Sequence, residues 1–291
     1  MKRALVLGGG GAVGIAWEEA ILAGLLDAGL DARNADLIIG TSAGSVVGTL
    51  LRYGRDPRDL YRAIFEPGER PAAARPSPDP EIAREVFVTW SSFERMTAGA
   101  CAQVGRLALQ ANPPGEDAFA WTDILGLDGW PEQPLLITAV DCDTGKLAVW
   151  DKTSGVPIER AIASSCAVPG LFQPVPVNGS AYMDGGVWSC TSADLAQRIE
   201  PDIVLIIAPI GTGGRGIHLL AAKDIAREKG ALEAAGAKVR VVMFDDAARE
   251  AGGASLMDPA ARAPVAEAGY AHGRRLGAEL KPLWESGAAP A

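Results

Sequence analysis

Asp36-Leu37-Ile38-Ile39-Gly40-Thr41-Ser42-Ala43-Gly44 is a short apolar run that stops at the spacing Gly-x-Ser-x-Gly. This is the pattern of a nucleophile elbow, in which a serine sits on a sharp turn from strand to helix and needs very small residues two positions away on either side. A Cβ at Gly40 or Gly44 would collide with the strand or the helix that the turn brings close. The motif also arises by chance in a chain with 35 glycines, so its neighbours decide. A strand-like run precedes it, and Ser45-Val46-Val47-Gly48-Thr49-Leu50-Leu51-Arg52 continues it as a helix. Such a turn holds the Ser42 hydroxyl up and aims the Ala43 N–H at whatever the hydroxyl attacks, which is the arrangement of acyl-transfer chemistry.

Upstream, Ala4-Leu5-Val6-Leu7 reads as a buried strand, Gly8 to Gly14 as a glycine loop, and Ile15 to Gly29 as a helix with apolar residues at Ile15, Ile21, Leu22, Leu25 and Leu26. Two such units in succession predict an α/β fold, a three-layer α/β/α sandwich with a mainly parallel central sheet. Downstream, Glu66 to Pro80 is rich in proline and alanine. Helical patterns over 81–90 and 93–110 follow without interleaved strands, and Asn112-Pro113-Pro114-Gly115 closes the stretch. This predicts a helical cap inserted at about 66–120 in a single domain over 1–285. The sheet resumes with Leu135–Val140 and Leu147–Trp150 as a hairpin, then Ala181–Met183, Ile203–Ala208 and Val239–Phe244. Helices are expected at 217–235 and 264–283, and residues 286–291 are expected to fray.

Gly9-x-Gly11-x-x-Gly14 has two readings. Between a strand and a helix it matches the dinucleotide fingerprint, with Asp31 or Asp36 near the place of a ribose-binding acid. Alternatively, Gly10 and Gly11 present N–H groups at a helix N-terminus, where they stabilise an oxyanion. The glycine loop and the elbow end adjacent parallel strands, so both open at the carboxyl edge of one sheet and one site can use both.

A serine nucleophile needs a proton acceptor. His218 and His272 are the only histidines, and neither carries a motif. A Ser42–Asp184–His272 triad is the one natural choice in α/β-hydrolase order, yet His272 lies within a charged helical pattern that reads as surface. Asp184, in Tyr182-Met183-Asp184-Gly185-Gly186, ends a strand where Gly185 and Gly186 permit close backbone approach. Its bland reading is a turn former. Bonded to Ser42 and partly buried, it would serve as a general base.

Composition narrows the classes. With 36 acidic and 27 basic residues the net charge is −9, and no Lys/Arg run exceeds a pair, so no nucleic-acid partner is expected. Cys101, Cys142, Cys166 and Cys190 are far apart, without Cys-x-x-Cys spacing, as free thiols in a reducing compartment are. The opening apolar run is too short for a secretory signal, and no stretch reaches the length of a membrane span. The expectation is a cytoplasmic protein that touches a membrane or micelle surface transiently, if at all.

Gly9-Gly10-Gly11-Ala12-Val13-Gly14, Gly40-Thr41-Ser42-Ala43-Gly44, the stretch from Ala163 to Val175, and Asp184-Gly185-Gly186 together resemble the patatin-like phospholipases over about Leu5 to Trp188. The resemblance implies a Ser42–Asp184 dyad and an oxyanion hole from Gly10, Gly11 and the Ala43 N–H. It also implies hydrolysis of acyl esters of lipids through an acyl-enzyme, with neither metal nor cofactor. The chain departs from the family pattern at Val13, where a basic residue is common, and at Val187-Trp188-Ser189-Cys190-Thr191, which lacks the usual asparagine. Phe87, Val88, Trp90, Phe93 and Met96 form an apolar stripe that is either a packing face or an acyl channel. An acyltransferase with the same dyad is the nearer rival, and a non-catalytic nucleotide-binding protein the farther one.

Overall fold

The computed structural model describes residues 1–66, 80–112, 115, 120–212 and 216–286. The chain runs β1 (Arg3–Leu7), α1 (Gly11–Asp27), β2 (Leu37–Thr41), α2 (Ala43–Arg52), α3 (Pro57–Ala63), α4 (Pro80–Ser92), α5 (Ala98–Ala111) and β3 (Leu135–Asp141). It continues with β4 (Leu147–Trp150), α6 (Ile158–Ser165), β5 (Val175–Val177), β6 (Ser180–Asp184), β7 (Ile203–Ala208), α7 (Gly216–Ala234), β8 (Lys238–Met243), α8 (Asp246–Gly252) and α9 (Arg262–Ser286). The eight strands form one sheet in the order β5-β6-β3-β2-β1-β7-β8, with β4 paired to β3. The β1–β2, β1–β7, β2–β3 and β7–β8 pairs are parallel, as the alternation of elements predicts.

Alternate side chains of each central strand enter different layers, because successive Cβ atoms point to opposite faces. Leu5, Leu7, Ile38, Ile137, Leu205 and Ile207 pack with α1, α9 and α6. Val6, Leu37, Ile39, Val204 and Ile206 pack with Ala221, Ile225 and Leu232 of α7. A third cluster joins α4 and α5 to Val140, Met183 and Leu220. The α1–α9 contact is closest where glycines meet: a Cβ on Gly273 would lie 2.3 Å from the Ile21 carbonyl oxygen.

Several elements were not anticipated. No pattern in the sequence marks the three short helices α3, α6 and α8 or strand β5, since each is too short for a period to register. The second helix of the segment after residue 80 starts at Ala98, not Phe93, because Thr97 caps it by accepting the Ala100 N–H at 3.3 Å. The last helix runs on to Ser286. The Pro/Ala-rich stretch at 67–79 and the expected frayed tail beyond Ser286 lie outside the described residues.

The register of β3 positions the site. β4 pairs with Ile137 to Val140 along one edge of β3. On the other edge β2 pairs in parallel up to Thr41 opposite Thr138, and β6 then takes over antiparallel, with Asp184 opposite Ala139. β2 and β6 therefore run toward each other along the same edge, and their C-terminal ends meet. Residue 42 leaves one end and residue 184 the other.

Candidate active site

Ser42 has φ 52° and ψ −117°, in the left-handed half of backbone space that a side chain rarely occupies. The strain is held by close packing at the flanking glycines. A Cβ on Gly40 would lie 2.6 Å from the Gly44 carbonyl oxygen, and one on Gly44 would lie 2.1 Å from the Leu7 carbonyl oxygen. The Ser42 amide donates to Ser165 Oγ at 2.8 Å, and its carbonyl accepts Ser45 Oγ at 2.7 Å and Cys166 Sγ at 3.3 Å. Its hydroxyl does not cap α2; it lies close enough to the Asp184 carboxyl to lower that group's proton affinity.

Asp184 is 3% exposed. Its amide donates to the Ala167 carbonyl at 2.9 Å, and its Oδ1 accepts the Gly186 N–H at 2.7 Å. Gly185 packs on the wall of β3, where a Cβ would lie 2.4 Å from Thr138 Oγ1. Burial pushes the Asp184 carboxyl up to about 7, against the opposing pull of the Ser42 hydroxyl and the Gly186 amide.

The glycine loop lies against the elbow. Its Gly8 carbonyl accepts the Gly44 N–H at 3.0 Å, and a Cβ on Gly9 would sit 3.6 Å from the Ser42 Cβ. Gly10 is extended at φ −179°, with room for a Cβ denied by Gly14 and Pro209 at 2.7 Å. Gly9 donates to the Cys190 carbonyl at 2.9 Å, whereas the Gly10, Gly11 and Ala43 amides have no acceptor among the described residues. Val13 is fully buried in the core, its amide held by the Leu256 carbonyl at 2.9 Å, so the side chain that replaces a basic residue points away from the site. The acids that a ribose would need are at the wrong edge. Asp31 pairs with Arg33 at 2.8 Å, and Asp36 accepts the Arg3 N–H at 2.7 Å, beside the start of β1 rather than its end.

A cavity of about 290 Å³ opens over Ser42 and Asp184. Gly9, Gly10, Gly11 and Gly186 line its floor, and Ala43 is not among the lining residues. Phe87, Trp90 and Met96 supply one wall. Phe93 does not line the cavity: α4 ends at Ser92, and Phe93 packs against the same apolar cluster from outside the cavity wall. Val88 points outward and is exposed. The facing wall is one side of α7, with Ile217, Leu220, Ala221 and Asp224 at helical spacing.

His218, which carries no motif, lines this cavity, and burial lowers its proton affinity. His272 is on the far face of the sheet, 3.5 Å from Asp245 and beside Trp17, so the triad alternative has no geometry. Two more residues escaped the sequence reading. Ser165 holds the elbow, and Glu228 on α7 accepts Ser189 Oγ at 2.6 Å, Thr191 Oγ1 at 2.6 Å and the Ala193 N–H at 2.8 Å. Burial pushes the Glu228 carboxyl up to about 7. The signal for it was present: Asp224 and Glu228 stand four apart on the apolar face of a helix, where a solvated acid does not belong. Among the described residues no cluster of three or more His, Cys, Asp or Glu is arranged to hold a metal ion, and no helix is long and apolar enough to cross a membrane.

The family model for patatin-like phospholipases matches residues 5–196. No curated protein matches the sequence. Among solved structures, VipD from Legionella pneumophila aligns with 14% identity and TM-score 0.49, over 95% of this chain and 66% of VipD. The type III effector protein ExoU aligns with 17% identity and TM-score 0.38, over 94% of this chain and 53% of ExoU. The chain thus spans about half to two thirds of the length of these two proteins.

Proposed function

The chain belongs to the patatin-like phospholipase family, and on that premise we propose that it is a lipid acyl hydrolase in which Ser42 and Asp184 form the catalytic dyad. The observation that carries the reading is the meeting of Ser42 and the buried Asp184 carboxyl on the floor of one apolar cavity, where the hydroxyl lowers the carboxyl's proton affinity. Asp184 takes the hydroxyl proton as Ser42 attacks the ester carbonyl. The oxyanion that develops is met by the acceptor-free Gly10 and Gly11 amides, with the Ala43 amide at the start of α2 as a further donor. Asp184 returns the proton to the departing alcohol, leaving an acyl-enzyme. Water, deprotonated by the same carboxylate, then attacks the acyl carbon; the bond to Ser42 Oγ breaks, Asp184 returns the proton to that oxygen, and the acid leaves.

An aspartate of ordinary proton affinity is a weak base at neutral pH; one raised to about 7 is matched to the task. The α4 and α7 walls shelter the acyl chain, which makes lipid esters the substrate class. Labelling with a fluorophosphonate followed by peptide mass analysis tests the reading. Modification at Ser42 alone, lost in Ser42→Ala, is expected; modification elsewhere, or turnover of a p-nitrophenyl ester by Ser42→Ala, overturns it.

A further inference from the structure

Glu228 belongs to α7, yet its carboxylate, 2% exposed, takes its hydrogen bonds from another segment, with only the Arg227 guanidinium of its own helix nearby at 3.7 Å. Oε1 accepts the Ser189 hydroxyl, and Oε2 accepts both the Thr191 hydroxyl and the Ala193 N–H. Ser189 Oγ in turn accepts the Ser192 N–H at 3.0 Å and the Thr191 N–H at 3.3 Å. The chain from 189 to 193 is wound around this one carboxylate, tightly enough that Ser192, fully buried, takes φ 47°.

Within that wound segment lies Cys190, and its carbonyl is the acceptor for the Gly9 N–H. On the other side the Gly8 carbonyl accepts the Gly44 N–H of the elbow. The glycine loop is thus pinned at two successive residues, one bond from the serine turn and one from the segment that Glu228 holds. The next two amides, Gly10 and Gly11, are the acceptor-free ones. A backbone free of side chains has little stiffness of its own, so the direction of these two N–H groups depends on the two bonds behind them as well as on the Gly14 N–H bond to the Gly10 carbonyl ahead, at 2.7 Å.

We propose that Glu228 is a positioning residue: by holding residues 189–193 it fixes the Cys190 carbonyl, and through the Gly9 N–H it aims the Gly10 and Gly11 donors at the oxyanion above Ser42. The proposal rests on the Ser42–Asp184 reading of the site. It adds a requirement that the reading alone does not make, since Glu228 contacts neither Ser42 nor the cavity.

Glu228→Gln keeps the shape but sets an NH2 group against a hydroxyl or an amide that needs an acceptor, so the segment slackens beside Cys190. Removing one oxyanion donor outright lowers turnover about a hundredfold or more, and misaiming two of them is expected to lower kcat about tenfold or more. KM should stay within about twofold, because the ground-state ester makes little use of these donors. Inhibition by an alkylboronic acid, whose tetrahedral adduct on Ser42 occupies the same donors, should weaken by the same factor as kcat/KM. Binding of the free fatty acid product, which needs only the cavity, should not change.

Unchanged kcat and unchanged boronate inhibition in Glu228→Gln overturn the proposal. So does an equal weakening of boronate and fatty acid binding, which is the signature of general loosening. Should Glu228→Gln fail to fold, Thr191→Val removes one donor to the same carboxylate and the same comparison decides. Ser42→Ala separates the two claims: turnover or boronate binding surviving in that variant overturns the dyad itself, whereas an inactive Ser42→Ala beside a fully active Glu228→Gln overturns only the role of Glu228.

Discussion

Asp184 is a carboxylate whose burial is unfavourable to folding and useful to chemistry. Its proton affinity lies near 7, against about 3.9 for a free aspartate. The folded state therefore binds the proton more tightly than the unfolded chain. Stability from this group is full below about pH 4 and is lost as pH rises toward 7, by as much as ~4 kcal/mol. Activity needs the ionised form, so kcat/KM is expected to climb through about pH 7, measured on a short p-nitrophenyl ester. Asp184→Asn should lower kcat about a hundredfold or more. The same variant should unfold at a higher temperature than the wild type at pH 8, with the difference shrinking toward pH 4. A variant that is inactive but no more stable at pH 8 would mean that burial does not act on this carboxyl. At this scale the sequence was legible where sterics speak: Gly40, Gly44, Gly185 and the strained Ser42 follow from collisions that any side chain would cause. His218 was not legible, because a lone histidine after a glycine run carries no spacing that distinguishes a cavity wall from a solvated face.

At the scale of elements, close approach depends on the absence of side chains. Helices α1 and α9 touch along Gly24, Gly269, Gly273 and Gly277, where a Cβ would lie between 2.2 and 2.7 Å from the facing atoms. Gly273→Ala is expected to cost about 1–3 kcal/mol through overpacking, seen as a lowered melting temperature. It should leave Ser42 labelling by a fluorophosphonate intact, because α9 is on the face of the sheet away from the cavity. A variant as stable as the wild type would show that the helices separate freely. The long helices were readable from their apolar spacing, whereas α3, α6 and β5 were not, since seven, eight and three residues hold too few periods to set a pattern. Thr97 shows the finer limit: helical spacing through Phe93 suggested one boundary, and a capping hydroxyl four residues later set another.

Across the whole molecule, the cavity is the space between α4 and α7 above the carboxyl edge of the sheet. Its α7 wall runs roughly 10 Å from Ile217 to Asp224. Ala221→Phe should block that wall partway and shift preference toward short acyl chains. The check is kcat/KM for p-nitrophenyl acetate against the long-chain ester, with the acetate rate retained and the long-chain rate reduced about tenfold or more. Equal loss on both esters would place the acyl chain elsewhere. The sequence by itself determined the layered α/β architecture, the two glycine turns, and the identities of Ser42 and Asp184 as candidates. Each of these rests on local periodicity or on a collision within a few residues. Only the tertiary structure decided that β6 continues the edge of β3 where β2 stops, bringing residues 142 positions apart in sequence to one cavity floor. It alone also brought α7 across to form the cavity wall and to hold the 189–193 segment through Glu228. Strand pairing and helix docking are contacts between distant stretches, and no local pattern in either partner specifies which edge or which segment it will meet.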